Sequence, residues 1–196
     1  MIHELKPFST VRRDWEPQAQ AWYKDEIVHP TDRILVSKAL LPFAMAISTT
    51  EQVIDIAGGA NNSVYYPKGY DMQRVTVIDA SEDAILLNPS GHKIHADARM
   101  PLDLPDSQFN LGICVFGMRY FENQEDVIFE MLRVLKKEAW AVIIDFIEGD
   151  KRAVRNFNVE ELIGKFSEKY IETQGQRLYA GCTVQAPMDL FAIRRV

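Results

Sequence analysis

The stretch Val53–Asn62, VIDIAGGANN, carries the fold: a β-branched apolar run leads into an acid, Asp55, and then into the adjacent glycines Gly58 and Gly59. Valine and isoleucine favour an extended backbone, and paired glycines permit a sharp turn after it. The glycine spacing is not that of the G-x-G-x-x-G dinucleotide fingerprint. Alone, the stretch fits a cofactor loop or a tight turn equally well. Its pattern returns downstream in Arg74–Asp79, where VTVID runs into a polar turn at Ser81.

Around these two segments the chain alternates short apolar runs with helical periodicity. A helix is expected over Thr31–Ala46, with Thr31 as its cap and Ile34, Leu35, Lys38 and Leu41 marking a face. Strands are expected at Gln52–Ala57, Arg74–Asp79, about Lys93–His95, and Phe109–Phe116. Pro67 and Gly69 stop any helix early after the first strand, and PLDLPDSQ (Pro101–Gln108) reads as a loop. The clearest helix is Gln124–Lys136, with Val127, Ile128, Met131, Leu132 and Leu135 on one face. A strand over Ala139–Phe146, a helix over Val159–Phe166 and two more strands near Tyr170–Gln176 and Asp189–Arg195 complete the order. This alternation predicts an α/β domain with a mostly parallel sheet and helices on both faces. Such sheets bind ligands beyond the carboxyl ends of their strands, where Asp55, Asp79, Asp97, Phe116–Tyr120 and Asp145 fall. Residues 1–30 are expected to form a lid or accessory segment, and residues 31–196 a single domain.

Composition narrows the function classes. With 47% hydrophobic residues in 196, the chain can bury one substantial core. A formal charge of -6 disfavours a nucleic-acid partner. The first residues lack the apolar core of a signal peptide and no run is long enough for a membrane span, so a soluble, cytoplasmic protein is expected. Cys114 and Cys182 sit in apolar surroundings and read as reduced, buried thiols. His3, His29, His92 and His95 show no metal-ligand spacing, so no metal is expected.

Two readings are open for the acids at the first strand ends. Asp55 and Asp79 at one sheet rim can accept hydrogen bonds from ribose hydroxyls, with Gly58 and Gly59 allowing close backbone approach. Equally, Asp55 can cap the glycine turn and Asp79 can begin an Asx turn toward Ser81.

Taken in order, VIDIAGG, VTVIDAS, HADARMPLDLPDSQFNLGICVFG and FENQEDVIFEMLRVLKK resemble the class I S-adenosylmethionine-dependent methyltransferases, in particular their small methyltransferase domain, over about Gln52–Phe146. FGMRYFENQEDVIFEMLRVLK is also locally similar to the ubiquinone/menaquinone-biosynthesis C-methyltransferases, with Tyr120 where that subgroup has asparagine. The resemblance implies a Rossmann-like, seven-stranded sheet with an antiparallel C-terminal strand, and S-adenosylmethionine as cofactor. It implies the glycine loop, with Ala57, Gly58 and Gly59, beside the methionine portion, Asp79 at the ribose hydroxyls, Asp97 and Ala98 at the adenine, Asp55 and Ala80 among the further cofactor-binding residues, and Phe116 between cofactor and acceptor. The implied activity is methyl transfer to a small molecule. Arg119, Tyr120, Trp22 and Tyr23 are candidate acceptor contacts, and Asp145, His95 and Tyr120 are candidate proton handlers. The chain departs from the family's three-glycine loop at Ala57 and Asn61, from its fourth-strand acid at Asn110, and from its later turn glycines at Glu138 and Ala139. These departures leave a second reading open, a cofactor-binding domain without turnover that regulates or joins a complex. Nucleic-acid or protein methylation ranks below both. A homo-oligomer or a protein partner is compatible with the sequence.

Overall fold

The computed structural model describes residues 30–46, 51–66, 68–146, 157–166, 172–178 and 188–195. The expectations for the first 29 residues, including Trp22 and Tyr23, and for Cys182 lie outside them.

Helix α1 (Pro30–Ala46) precedes strand β1 (Val53–Ile56), and a short 3-10 turn over Asn62–Tyr65 follows the glycines. Then come β2 (Val75–Asp79), helix α2 (Glu82–Leu87), β3 (His92–His95) and β4 (Phe109–Val115). A 3-10 turn at Met118–Tyr120 leads to helix α3 (Gln124–Val134), β5 (Leu135–Phe146), helix α4 (Val159–Phe166), β6 (Glu172–Leu178) and β7 (Met188–Arg194). The seven strands lie in the order β3-β2-β1-β4-β5-β7-β6. Strands β1 to β5 pair in parallel, while β7 runs antiparallel to both of its neighbours. The order reverses between β1 and β4, which places the switch point of the sheet beside the glycine turn.

Both faces of the sheet are covered, as the alternation predicts. On one face Ile54, Ile56 and Ile143 pack with Val127, Ile128, Met131 and Leu132 of α3 and with Leu162 and Phe166 of α4. On the other, Val53, Leu111, Ile113, Val142 and Ile144 pack with Val36 and Leu40 of α1 and with Tyr65 and Tyr66. Among the described residues no helix is long and apolar enough to cross a membrane.

Three local expectations change. The helix α1 begins at Pro30, so Thr31 lies within it and is not its cap. Its buried row is Val36, Leu40 and Ala44, and Ile34 and Leu41 of the expected face are exposed. Apolar residues stand on all sides of this helix, so periodicity gave no phase. Helix α3 ends at Val134 because the chain leaves it directly for the sheet: the Arg133 and Val134 carbonyls accept from the Ser107 and Gln108 N–H groups, and Leu135 pairs with Phe109. The third change is α2, which the sequence reading passed over. Ser81 caps it by accepting from the Ala84 N–H at 3.1 Å, and Glu82 and Asp83 occupy its first turn, where acids suit the helix dipole.

Candidate functional site

The turn after β1 is bent where the sequence lacks one glycine and retains another. Ala57 takes φ 56° and Gly59 takes φ 63°, both left-handed. An L-residue in that region costs roughly 1–2 kcal/mol, so Ala57 stores strain that a glycine would not. The turn is anchored to β2 by the Ala57 N–H, which donates to the Ile78 carbonyl at 2.8 Å, with the Gly58 N–H on the same oxygen at 3.4 Å. At Gly59 an added Cβ would meet no atom within 4 Å. Gly59 thus has room on its Cβ side, whereas a Cβ on Gly58 would stand 2.6 Å from Val77 Cγ2 and 3.0 Å from Asp55 Cγ.

Asp79 uses both carboxylate oxygens on the backbone. Its Oδ2 accepts from the Gly59 N–H at 2.9 Å and its Oδ1 from the Ser81 N–H at 2.9 Å. The Asx turn toward Ser81 is thus formed, and the same side chain ties β2 to the glycine turn.

Asp55 points to the α1 side of the sheet and is 1% exposed. It does not cap the glycine turn. Its Oδ2 accepts from Asn62 Nδ2 at 2.8 Å and from the Tyr66 hydroxyl at 3.4 Å, while its buried Oδ1 has no hydrogen-bond partner. Burial raises its pKa to about 7, against the lowering effect of the Asn62 and Tyr66 bonds. A carboxylate with one satisfied oxygen and one bare oxygen is matched to a positively charged donor.

At the β3 side, Asp97 is held by its neighbour. Arg99 donates Nε to Asp97 Oδ1 at 2.9 Å and Nη2 to Oδ2 at 2.7 Å, and Glu122 lies 3.5 Å from Arg99 Nη1. Ala98 is buried beside this pair, and Ala80 offers its carbonyl to His95 Nε2 at 3.1 Å. His95 itself is exposed.

Beyond β4 the chain is packed. Phe116 adopts φ 60°, is 3% exposed and stacks on Phe146 with centroids 4.6 Å apart. The Arg119 guanidinium lies 4.9 Å from the Phe146 centroid and 4.9 Å from that of Tyr120, and its Nη2 donates to the Tyr120 hydroxyl at 2.9 Å. Asp145 is fully buried, accepts from the Arg119 N–H at 3.0 Å and from the Phe146 N–H at 2.7 Å, and faces Arg119 Nη1 at 3.5 Å. Burial raises the pKa of Asp145 to about 6 despite these donors. In this geometry Asp145 fastens the turn that carries Arg119 and Tyr120.

The three alternatives for a proton handler lie at different places along the sheet rim. His95 ends β3 and Asp145 lies near the end of β5, with β2, β1 and β4 between them. At ~4.8 Å per strand their backbones stand about 19 Å apart. Tyr120 neighbours Asp145 only through Arg119. Cys114 is buried and free, and burial pushes its thiol well above the ordinary range. Among the described residues no cluster of histidine, cysteine and acids could hold a metal ion.

Sequence reasoning missed the polar side chains around the turn and Asp55, namely Asn62, Tyr66, Asn88 and Ser90, and the Arg99 partner of Asp97. Of these only Arg99 carried a local signal, its charge two residues from Asp97. The others meet the turn across the fold, with Asn88 Nδ2 on the Gly59 carbonyl at 2.6 Å and Ser90 Oγ accepting from Asn62 Nδ2 at 3.2 Å.

Comparison with known proteins agrees with this architecture. Residues 54–143 match the family model described as a methyltransferase domain. Geranyl diphosphate C-methyltransferase from Streptomyces coelicolor, solved with Mg2+, geranyl diphosphate and S-adenosyl-L-homocysteine, superposes with a TM-score of 0.71 at 12% identity, covering 97% of this chain and 98% of that one. Magnesium protoporphyrin IX methyltransferase from Synechocystis, with bound S-adenosylmethionine, gives 0.68 at 10% identity over 100% of both chains. An S-adenosylmethionine-dependent methyltransferase from Thermotoga maritima gives 0.69 at 13% identity, covering 95% and 100%. No curated protein sequence matches the chain. The chain has the class I S-adenosylmethionine-dependent methyltransferase fold. The family match spans β1 to most of β5, and the described sheet extends beyond it through β7.

Proposed function

We propose that the chain is an S-adenosylmethionine-dependent methyltransferase acting on a small-molecule acceptor, in a cytoplasmic setting. The observation that carries this reading is the pairing of an open glycine turn with the bare, buried oxygen of Asp55 at the switch point of the sheet. The residues present fit the cofactor. Gly59 leaves room for close approach, Asp55 Oδ1 suits the ammonium of the methionine portion, and Asp79, at the end of β2 beside the glycine turn, is a carboxylate of the type that accepts from ribose hydroxyls. Asp97 and Ala98 stand on the adenine side, with Arg99 sharing the Asp97 carboxylate. When bound, S-adenosylmethionine supplies an electrophilic methyl group on a sulfonium.

The protein's part is alignment and exclusion of water. Phe116 and Phe146 form an apolar wall at the end of β4 and β5, and Arg119 with Tyr120 gives that wall a polar edge for the acceptor. Asp145 serves there as the anchor of the turn. Of the three expected proton handlers, Tyr120 is the one placed on this edge.

Calorimetry on the folded, ligand-free protein tests the cofactor assignment: saturable binding of S-adenosylmethionine or S-adenosylhomocysteine is expected, and binding of neither overturns it. Methylation assays with small aromatic and isoprenoid acceptors then test turnover. The competing reading, a cofactor-binding domain without turnover, draws on Ala57 in a strained glycine position and on the occupied Asp97. Tight cofactor binding with no methylation of any acceptor class would favour it.

A further inference from the structure

The geometry points to Asn62, Ser90 and Asn88 as positioning residues that lock the glycine turn in its binding conformation, an inference that rests on the cofactor reading above. The peptide groups flanking Gly59 are held from opposite sides. The Gly59 N–H donates to Asp79 Oδ2 at 2.9 Å, and its carbonyl accepts from Asn88 Nδ2 at 2.6 Å. Asn88 is itself fixed at the end of α2, where its N–H donates to the Ala84 carbonyl at 3.0 Å and its Oδ1 accepts from the Ser90 N–H at 2.8 Å. Ser90 Oγ accepts from Asn62 Nδ2 at 3.2 Å, and the same amide donates to Asp55 Oδ2 at 2.8 Å. The result is a continuous path from Asp55 through Asn62, Ser90 and Asn88 to Gly59, and from there to Asp79.

This path lies in the interior. Asp55, Asn62 and Asn88 are each 1% exposed and Ser90 is 3% exposed. Buried polar groups are costly unless bonded, and once bonded they fix direction as apolar side chains cannot. Direction is what this turn lacks on its own. Two of the glycine positions common in the family are Ala57 and Asn61, yet residues 57 and 59 still adopt left-handed φ values. External hydrogen bonds to Gly59 supply the definition that the local sequence does not. The three side chains bond to Asp55, to Gly59 and to one another, so they act through Gly59 and Asp55.

The test is calorimetry with S-adenosylhomocysteine between about pH 6 and 9, on wild type and on three variants whose folding is checked by thermal melting. Asn88→Ala should weaken binding about tenfold, the scale of one lost hydrogen bond, without moving the pH midpoint. Asn62→Ala should move the midpoint upward, because it removes a donor that favours the Asp55 carboxylate. Asp55 faces Asp79 from β2, Tyr66 from the 3-10 turn segment and Cys114 from β4. Burial keeps Tyr66 and Cys114 neutral over this range, so the midpoint reports Asp55. Ser63→Ala, which removes a bond to Asn61 outside the path, should change neither readout. If Asn88→Ala does not fold, Ser90→Ala carries the test, with a several-fold loss expected. Folded variants that bind as wild type with an unchanged midpoint overturn the positioning role. A wild type that binds neither cofactor form overturns the cofactor reading itself, and this inference with it.

Discussion

The Ala57 methyl occupies the space that obliges residue 117 to be glycine: a Cβ on Gly117 would stand 2.6 Å from Ala57 Cβ. The ends of β1 and β4 therefore meet through one methyl group and one hydrogen. Gly117→Ala should destabilise the protein by about 1–3 kcal/mol, the cost of overpacking a closed contact. In the background of Ala57→Gly most of that loss should return. The second substitution removes the obstructing methyl, leaving Cys114 Sγ at 3.1 Å as the nearest atom. Urea unfolding of the two single variants and the double variant measures this coupling. Additive losses would show that the two positions are independent and would sink the idea.

The ends of β1 and β2 and their acids were legible because each of these strands is a short β-branched run closed by a turn, a pattern that survives without tertiary context. The seven strands and the antiparallel C-terminal strand followed from resemblance, not from the runs themselves. The phase of α1 was hidden because Ile34, Val36, Leu40 and Leu41 are all apolar, and only the contact with Val53 and Val142 selects Val36 and Leu40. The support of the site was hidden for a related reason. Asn62 and Asn88 look like ordinary turn residues, and their partners Asp55 and Gly59 are distant in sequence for Asn88 and off-register for Asn62. Asp145 was one of three alternatives for proton handling; it is completely buried and accepts from the Arg119 and Phe146 N–H groups, the first of which reaches it from a distant part of the chain and leaves no local sequence signal.

Asp79 and Ser81 separate binding from capping. Ser81→Ala removes the cap of α2 and should cost about 0.5–2 kcal/mol of stability while leaving S-adenosylhomocysteine affinity within a few-fold. Asp79→Ala removes the bond that holds the Gly59 N–H as well as the Asx turn, so it should reduce affinity by more than tenfold in protein that still folds. Equal effects of the two changes on binding would assign Asp79 to turn formation alone.

Glu138 offers a stability gain away from the site. It takes φ 66° at the irregularity where β5 begins, and its ion pair with Arg194 at 2.8 Å is exposed. Such pairs contribute little, whereas relief of a left-handed φ is worth roughly 1–2 kcal/mol before the added flexibility of glycine in the unfolded chain is subtracted. Glu138→Gly should therefore raise the melting temperature slightly and leave cofactor binding unchanged. A lower melting temperature would mean that the Arg194 pair outweighs the backbone term.

Asp55 gives the strongest pH dependence expected of the fold. Its pKa is about 7 in the folded protein against an ordinary 3.8, so between those values the native state holds a proton that the unfolded chain has released. Its contribution to stability is full below about pH 4 and is lost as pH rises through about 7. Asp145, raised to about 6, acts in the same direction over a slightly lower window. Asp55→Asn removes the ionisation while keeping an acceptor for Asn62 and Tyr66. At about pH 8 the variant should be more stable than wild type, by a few kcal/mol at most, and the two should converge toward pH 4. The same change should weaken S-adenosylhomocysteine binding, because an amide cannot neutralise the ammonium that the bare Oδ1 is proposed to meet. Wild-type binding at about pH 6 should release up to about one proton as Asp55 ionises against that ammonium, read as a dependence of the calorimetric enthalpy on buffer. Urea unfolding at several pH values checks the first half and buffer-dependent calorimetry the second. A variant that is less stable at about pH 8, or binding without proton release, would show that Asp55 is neither costly when charged nor aimed at a cation.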